Sequence, residues 1–333
     1  MRDKLERAPT WARQRVLIGG LAGAGLALSG GGVGAQHLPD RPIRLIVGFA
    51  PGGAADVIAR SIGQALGKVL DRQVLIDNRP GGDGIIAATA VRNAAPDGAT
   101  LLLGTNTAMV AAPTLRPVPP FDPFKDFSPI SSAGQFTMFL VTSPQVPVRT
   151  APEFLAWAKA HAGSLNTASS NSASELALLQ LLAGAGVRAT NVRYKGDTQA
   201  LVDVMAGQIQ AIFTTGTSAP ALVRDGKVRA LLTLQPERSP LLPDVPTASE
   251  LGIRELTILP WAGFFGPPGL PAAVAGQLSD GLQKVLADPT VKGQLVQQGF
   301  EAYGMSPDKF AAFFKARYDG WVETIRKYDV KFD

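Results

Sequence analysis

One segment of this chain has the form of an anion-binding turn: Phe49-Ala50-Pro51-Gly52-Gly53-Ala54-Ala55-Asp56. It leaves an apolar run and enters a helical pattern through two glycines, whose backbone lies bare and can take up positive φ. A helix beginning just after them points unpaired N–H groups and a partial positive charge outward. A carboxylate is the kind of group such an end receives. Asp56 can cap N–H groups near the helix start, and Arg60, four residues on, can pair with it. An ordinary tight strand-to-helix turn would use the same residues, so this segment alone leaves both readings open. Three further clusters carry similar chemistry: Gly104-Thr105-Asn106-Thr107, Ala168-Ser169-Ser170-Asn171-Ser172 and Thr214-Thr215-Gly216-Thr217-Ser218. Each falls between a strand pattern and a helix pattern, the edge at which open α/β sheets present ligand sites. Their hydroxyls, amides and exposed N–H groups supply donors without fixed charge. Singly each is a capped loop; four such edges in one chain point to a site.

Other chemistry is excluded by composition. The 333 residues contain no cysteine and 2 histidines, which removes disulfides, thiolate metal sites and cysteine nucleophiles. His37 and His161 leave almost no room for histidine metal sites or Ser–His catalysis. No nucleophile elbow, phosphate loop or zinc-protease motif is present. Gly82-Asp83-Gly84-Ile85-Ile86-Ala87 matches a dinucleotide fingerprint in outline, but no acidic residue stands about 20 positions further on to hold a ribose. Those glycines are expected to shape a turn and a helix cap.

The elements that must position these loops follow from periodicity. Ile43 to Val47, Val74 to Ile76 and Leu101 to Leu103 read as strands, separated by helix patterns through Val57–Val69 and Ile85–Val91. The rhythm continues with strands at Phe139–Val141, Leu165–Thr167, Asn191–Arg193, Ala211–Thr214, Val228–Leu234 and Ala262–Phe265. Helices are expected between them, then a long helix through Val274 and Val285. A closing helix from Pro307 to Lys327 buries Phe310, Phe313, Phe314 and Trp321. Strands alternating with helices imply βαβ units and a largely parallel sheet covered on both faces. The length suits roughly two domains.

The net charge of +5 is unevenly placed. Residues 1–35 hold Arg2, Lys4, Arg7, Arg13 and Arg15 against Asp3 and Glu6, then a short apolar run and a small-residue exit at Val33-Gly34-Ala35. This reads as a secretory signal cut after Ala35. The remainder, near neutral, has no nucleic-acid footprint.

From about Arg41 onward the chain resembles the tripartite tricarboxylate transporter substrate-binding proteins, or Bug family. An ordered series carries the resemblance: Phe49-Ala50-Pro51-Gly52-Gly53 with Asp56 and Arg60, Asp77-Asn78-Arg79-Pro80-Gly81, and Asp97-Gly98 before Leu101. Phe121-Asp122-Pro123, Tyr194-Lys195-Gly196, Gly226-Lys227-Val228, Pro243-Asp244-Val245-Pro246-Thr247 and Pro267-Pro268-Gly269 continue it. The resemblance implies a two-lobed α/β periplasmic binding protein fold, type II-like, each lobe a mainly parallel sheet flanked by helices. Lobe 1 would comprise 36–137 and 259–333, and lobe 2 138–258, with the ligand cleft between them. It further implies a site of Phe49, Ala50, Gly52, Gly53, Ala54, Ala55, Asp56, Thr105 and Asn106 from lobe 1. Facing these would be Ser169, Ser170, Asn171, Ser172, Tyr194, Lys195, Gly196, Thr214 and Thr215.

The expected role is an exported, monomeric periplasmic receptor that gives a small organic carboxylate to transporter membrane subunits. It would be no enzyme and hold no cofactor or metal. A periplasmic sensor on the same fold, or an exported hydrolase, is the alternative. Two departures bear on the ligand. The Ser169–Ser172 loop is about two residues shorter than usual in the family, with Glu175 where histidine is usual. Thr214 stands where the family often has aspartate. Both changes disfavour an amino-acid ligand and favour an aliphatic or aromatic mono- or dicarboxylate.

Overall fold

Residues 37–328 are described by a computed structural model of the chain. The expected signal over 1–35 lies outside these described residues. The first apolar runs form β1 (Ile43–Val47), β2 (Val74–Asn78) and β3 (Thr100–Thr105), joined by α1 (Ala54–Leu70) and α2 (Ile85–Arg92). A π-helical turn, Thr107–Ala111, runs into the short α3 (Ala112–Thr114), and β4 (Ser128–Phe136) follows. Then come β5 (Met138–Thr142), α4 (Ala151–Ala160), β6 (Asn166–Ser169), α5 (Ser172–Gly184) and β7 (Thr190–Arg193). This section ends with α6 (Asp197–Met205), β8 (Ala211–Thr215), α7 (Ala219–Arg224) and β9 (Arg229–Thr233). The last elements are β10 (Trp261–Gly266), α8 (Ala272–Ala287), α9 (Pro289–Gln297), β11 (Phe300–Ala302) and α10 (Pro307–Lys327).

These strands make two sheets, ordered β11-β4-β10-β3-β1-β2 and β7-β6-β8-β5-β9. In the first, β1 to β4 run one way and β10 and β11 run against them. In the second, only β5 runs against the rest. Most strands of each sheet point one way, but five of the nine neighbouring pairs are antiparallel, more than the largely parallel sheets expected. The reason is that β5 and β10 run against both neighbours and β11 against β4. Strands β5 and β10 each follow a passage of the chain from one sheet to the other, and enter the new sheet reversed.

Apart from the exposed Arg44 near the start of β1, strands β1 and β3 are apolar on both faces because helices cover both. One face packs Ile43, Leu45 and Val47 against Ile58, Ile62 and Leu66 of α1 and Leu278 and Leu282 of α8. The other joins a larger core in which Met109, Leu140, Phe154, Leu176, Phe213 and Trp261 bridge both sheets. Each such side chain, fully buried, stabilises the fold by roughly 1.5–3 kcal/mol. Trp261 is ringed by Phe265, Phe310, Phe313 and Phe314, with the Phe314 centroid at 5.5 Å. Phe310, Phe314 and Trp321 are buried as expected, but Phe313 is only half-buried, its ring carrying the Arg317 guanidinium at 5.1 Å.

Periodicity missed β4, α9 and β11. Strand β4 contains Pro129 and Gly134 and four hydroxyl or amide side chains, so it lacks the β-branched pattern of its neighbours. It is tolerated there because its pairing with β10 shifts register near Pro129.

A single residue, Thr137, separates β4 from β5 and so one sheet from the other. Its N–H donates to Gly299 C=O and its own C=O accepts from Gly216 N–H, both at 2.8 Å. The buried Gln235, on the return passage, spans the same point: its Nε2 donates to Phe136 C=O at 2.7 Å and its Oε1 accepts Met138 N–H at 3.1 Å. Substituting Gln235→Leu keeps the bulk but leaves Met138 N–H buried without an acceptor. The urea midpoint should fall by the equivalent of about 1–3 kcal/mol; an unchanged midpoint would show that the splint is not needed.

Candidate functional site

The turn after β1 is held by a carboxylate behind it. Gly52 adopts φ 79, which its lack of a side chain permits. Its N–H is thereby aimed at Asp56 Oδ2, 2.8 Å away. Asp56 also accepts from Asn78 Nδ2 at 2.9 Å and from Arg60, whose Nε lies 3.0 Å from Oδ2. Asn78, the last residue of β2, donates in addition to Phe49 C=O at 3.1 Å. Burial pushes the Asp56 carboxyl up, but the hydrogen bonds from Arg60, Gly52 and Asn78 outweigh it and hold the group below the ordinary carboxylate range. With the turn fixed, Gly53 becomes the N-cap of α1 and provides no side-chain cap. The first-turn N–H groups are left for another acceptor.

The next strand end adds polar atoms of an unusual kind. Asn106 Oδ1 accepts the backbone N–H of Trp261 at 3.3 Å. Asn106 Nδ2, Thr105 Oγ1 and Trp261 Nε1 are all buried without a protein partner. Leaving such a group unsatisfied costs roughly 1–3 kcal/mol, and two of the three belong to residues that line the same cavity. Beside them Thr107 Oγ1 lies 2.9 Å from Ser172 Oγ, a buried hydrogen bond between the two lobes. The expected role for Gly82–Gly84 also fits the geometry: Gly84, at φ 88, is the N-cap of α2 and sits so close to Ala108 that a Cβ would lie 2.7 Å from that methyl.

The facing wall comes from the second sheet. Asn171 caps α5, accepting Ser174 N–H at 3.0 Å, and donates to Ser170 Oγ at 3.1 Å. Ser170 in turn donates to Asp197. The other Asp197 oxygen accepts from Thr214 Oγ1 at 2.8 Å, Thr215 N–H at 2.8 Å and Thr215 Oγ1 at 2.7 Å. Asp197 was not singled out from the sequence. It corrects the expectation drawn from Thr214: a carboxylate is present on this wall, brought from the start of α6 rather than from β8.

Between the two walls lies a cavity of about 650 Å³. Phe49, Ala50, Gly52, Gly53, Ala54 and Ala55 line it from the first turn, and Thr105 and Asn106 from the β3 end. Ser170, Asn171, Lys195, Gly196 and Thr215 line it from the second lobe. Five other candidate residues stand behind the wall. Asp56 pins the turn, Ser169 accepts from Asn191 at 2.9 Å, and Ser172 meets Thr107. Thr214 supports Asp197, and Tyr194 donates to Asp203 at 2.5 Å. Burial and the neighbouring Asp203 push the Tyr194 hydroxyl up to about 12, so it stays a donor. The structure adds Pro51, Thr107, Phe136, Met138, Asp197, Thr198, Gln199, Ser218 and Pro260 to the lining. Phe136, Met138 and Pro260 flank the passages between sheets, where no local motif marks them.

Glu175, the departure from histidine, pairs with Arg193 at 2.7 Å and does not line the cavity. Burial pushes its carboxyl up, with Asp83 adding to the effect and Arg193 offsetting part of it. Lys195 and Asp197 are the only titratable side chains among the described lining residues. No three His, Asp or Glu side chains converge as a metal site among the described residues. Chemically, the cavity offers uncapped amides at the start of α1 on one wall, apolar residues, and on the other wall a carboxylate at the start of α6, which also lacks a side-chain cap.

A family model described as "Tripartite tricarboxylate transporter family receptor" matches residues 58–330. BugT of Bordetella pertussis (strain Tohama I) is 32% identical over 316 residues, 93% of this chain and 95% of BugT. The structure of MatC from Rhodopseudomonas palustris with bound malate is similar at a TM-score of 0.78 and 31% identity, covering 86% of this chain and 99% of MatC. The structure of R. palustris Rpa4515 with adipate gives a TM-score of 0.83 at 25% identity, covering 88% and 99% of the two chains.

Asp56→Ala should strand Gly52 N–H and the Asn78 amide and lower stability by about 1–3 kcal/mol at neutral pH. Because the folded carboxyl sits below its ordinary value, its contribution is present above that value and is lost as pH falls through the lowered one. The stability gap between parent and variant, followed by thermal unfolding from pH 7 to pH 2, should therefore close in acid. A gap independent of pH would contradict the charge-assisted pin.

Proposed function

The chain belongs to the tripartite tricarboxylate transporter receptor family, and from that premise we propose that it captures a small organic carboxylate between its lobes. It would act in the periplasm as a monomer, released from its leader after Ala35, and hand the ligand to transporter membrane subunits. The family consists of solute-binding receptors, and malate and adipate, held by two of the similar structures, are both carboxylates.

The observation that carries this reading is the start of α1. Its N-cap is a glycine without a capping side chain, and Gly53, Ala54 and Ala55 line the cavity. A carboxylate there would accept the free amides and sit in the positive end of the helix dipole. Thr105 and Asn106, with unpartnered buried atoms beside the same cavity, favour a bound polar group over an empty turn. We assign ligand contact to Phe49, Ala50, Gly52, Gly53, Ala54, Ala55, Thr105, Asn106, Ser170, Asn171, Lys195, Gly196 and Thr215. Asp56, Ser169, Ser172, Tyr194 and Thr214 hold those residues in place. Lobe 1 is assigned 36–137 and 259–333, and lobe 2 138–258.

Protein stripped of ligand by unfolding and refolding should be stabilised by one class of organic carboxylate in a thermal-shift screen. At ~100 times the dissociation constant the gain is about 2.7 kcal/mol. No shift with dicarboxylates, tricarboxylates, aromatic acids or amino acids would overturn the ligand class. Gly53→Asp tests the place. Gly53 has φ −75 and ψ 164, suited to an N-cap, and a Cβ there meets only Ala50 C=O, at 3.4 Å. The new carboxylate would take the same amides, so stability should hold or rise while affinity falls at least ~100-fold, a loss of about 2.7 kcal/mol. Undiminished affinity would move the site elsewhere.

A further inference from the structure

Both ends of the cavity present a helix start without a side-chain cap, α1 at Gly53 and α6 at Gly196, but only the facing one carries a carboxylate. The α1 end presents uncapped amides. The facing wall presents Asp197, half-buried at the first position of α6. Its carboxylate does not cap its own helix but lies across the ends of β6 and β8, accepting from Ser170, Thr214 and Thr215. All of these donors are neutral, and Asp197 has no ion-pair partner among the described residues. One of its oxygens accepts three of the hydrogen bonds and the other accepts only that from Ser170. The charge is thus held by neutral donors at the start of α6, with no cationic side chain paired to it among the described residues. The other charged residue of the lining, Lys195, is exposed and makes no ion pair with Asp197. Phe49, Phe136, Met138 and Pro260 are the large apolar residues of the lining.

We infer that Asp197 determines ligand specificity: the cleft takes a zwitterionic compound, its carboxylate at α1 and a cationic hydrogen-bond donor at Asp197, and disfavours a second carboxylate at that end. Two carboxylates brought together in a partly desolvated cleft repel, whereas an ammonium group there gains both charge and a hydrogen bond. The Ser170 and Thr215 hydroxyls and the Thr215 amide, already turned toward Asp197, cannot at the same time serve a second ligand carboxylate. Malate and adipate, the ligands of two similar structures, each carry two carboxylates, so this chain should differ from those proteins in preference. The inference rests on the carboxylate-receptor reading given above and adds to it the chemistry of the ligand's other end.

The test compares length-matched sets of α,ω-dicarboxylates, ω-aminocarboxylates and ω-hydroxycarboxylates of four to six carbons, with α-amino acids alongside. Binding to the ligand-stripped full protein is measured by calorimetry. The unaltered chain should bind its best amino compound at least ~10-fold more tightly than the matched dicarboxylate. Asp197→Asn, checked for folding by circular dichroism, should weaken the amino compound and tighten the dicarboxylate, shifting their ratio at least ~10-fold. Preference of the unaltered chain for dicarboxylates would overturn the inference without need of the variant. So would a hydroxy compound binding as tightly as the amino one, or a ratio that Asp197→Asn leaves unchanged. Each of those outcomes leaves the receptor reading standing. Silence of both proteins toward every carboxylate would instead overturn that reading, and this inference with it.

Discussion

A helix that begins at glycine has amide donors and nothing of its own to give them. The start of α1 is in that condition, and much of the first lobe is arranged to keep it so. Asp56, which could have served as a cap, is turned back to take Gly52 N–H, Asn78 and Arg60. The bonds that hold the turn are thus made behind it, and the donors facing the cavity remain free. Strand β1 delivers the turn, β2 contributes Asn78 from its last residue, and the core between α1 and α8 fixes the helix axis. A free helix end is useful only if the backbone around it cannot collapse onto it; buried hydrogen bonds to a carboxylate achieve that at the cost of one desolvated charge.

The second lobe supplies the opposite end of the cavity, and the same economy of side chains recurs. Asn171 caps α5, Ser172 reaches Thr107 in the other lobe, and Ser170, Thr214 and Thr215 converge on Asp197. The lobes meet through the residue Thr137, clamped by Gly216 and Gly299 and spanned by Gln235. That point lies between Phe136 and Met138, both lining the cavity. The site and the crossover are therefore built from neighbouring residues.

The elements that repeat a simple pattern were legible in the sequence. Ile43–Val47, Leu101–Leu103 and the apolar face of α1 are continuous or periodic, and each forms where expected. The turn at Phe49–Asp56 could be read because glycine and a following helix are adjacent in sequence. Strand β4 could not, since Pro129 and Gly134 break its pattern and its burial depends on β10 and β11, more than a hundred residues away. Asp197 was hidden for a related reason. Its partners Ser170, Thr214 and Thr215 come from two other strand ends, and only the parallel pairing of β6 with β8 brings them together. Read along the chain, Thr214 marked the loss of a carboxylate; read across the sheet, that carboxylate is replaced. Asp56 was legible as a member of the site but not as a residue facing away from the cavity, because that depends on the φ of Gly52 and on Asn78.

The central claim is that a ligand carboxylate replaces the missing cap of α1. A crystal structure of the protein with a carboxylate from its own binding screen tests it most directly. A carboxylate oxygen should lie about 2.7–3.2 Å from the backbone nitrogens of Ala54 or Ala55, with Gly52 N–H still on Asp56. A carboxylate seated instead on Lys195, or outside the cavity with the first turn of α1 untouched, would contradict the account.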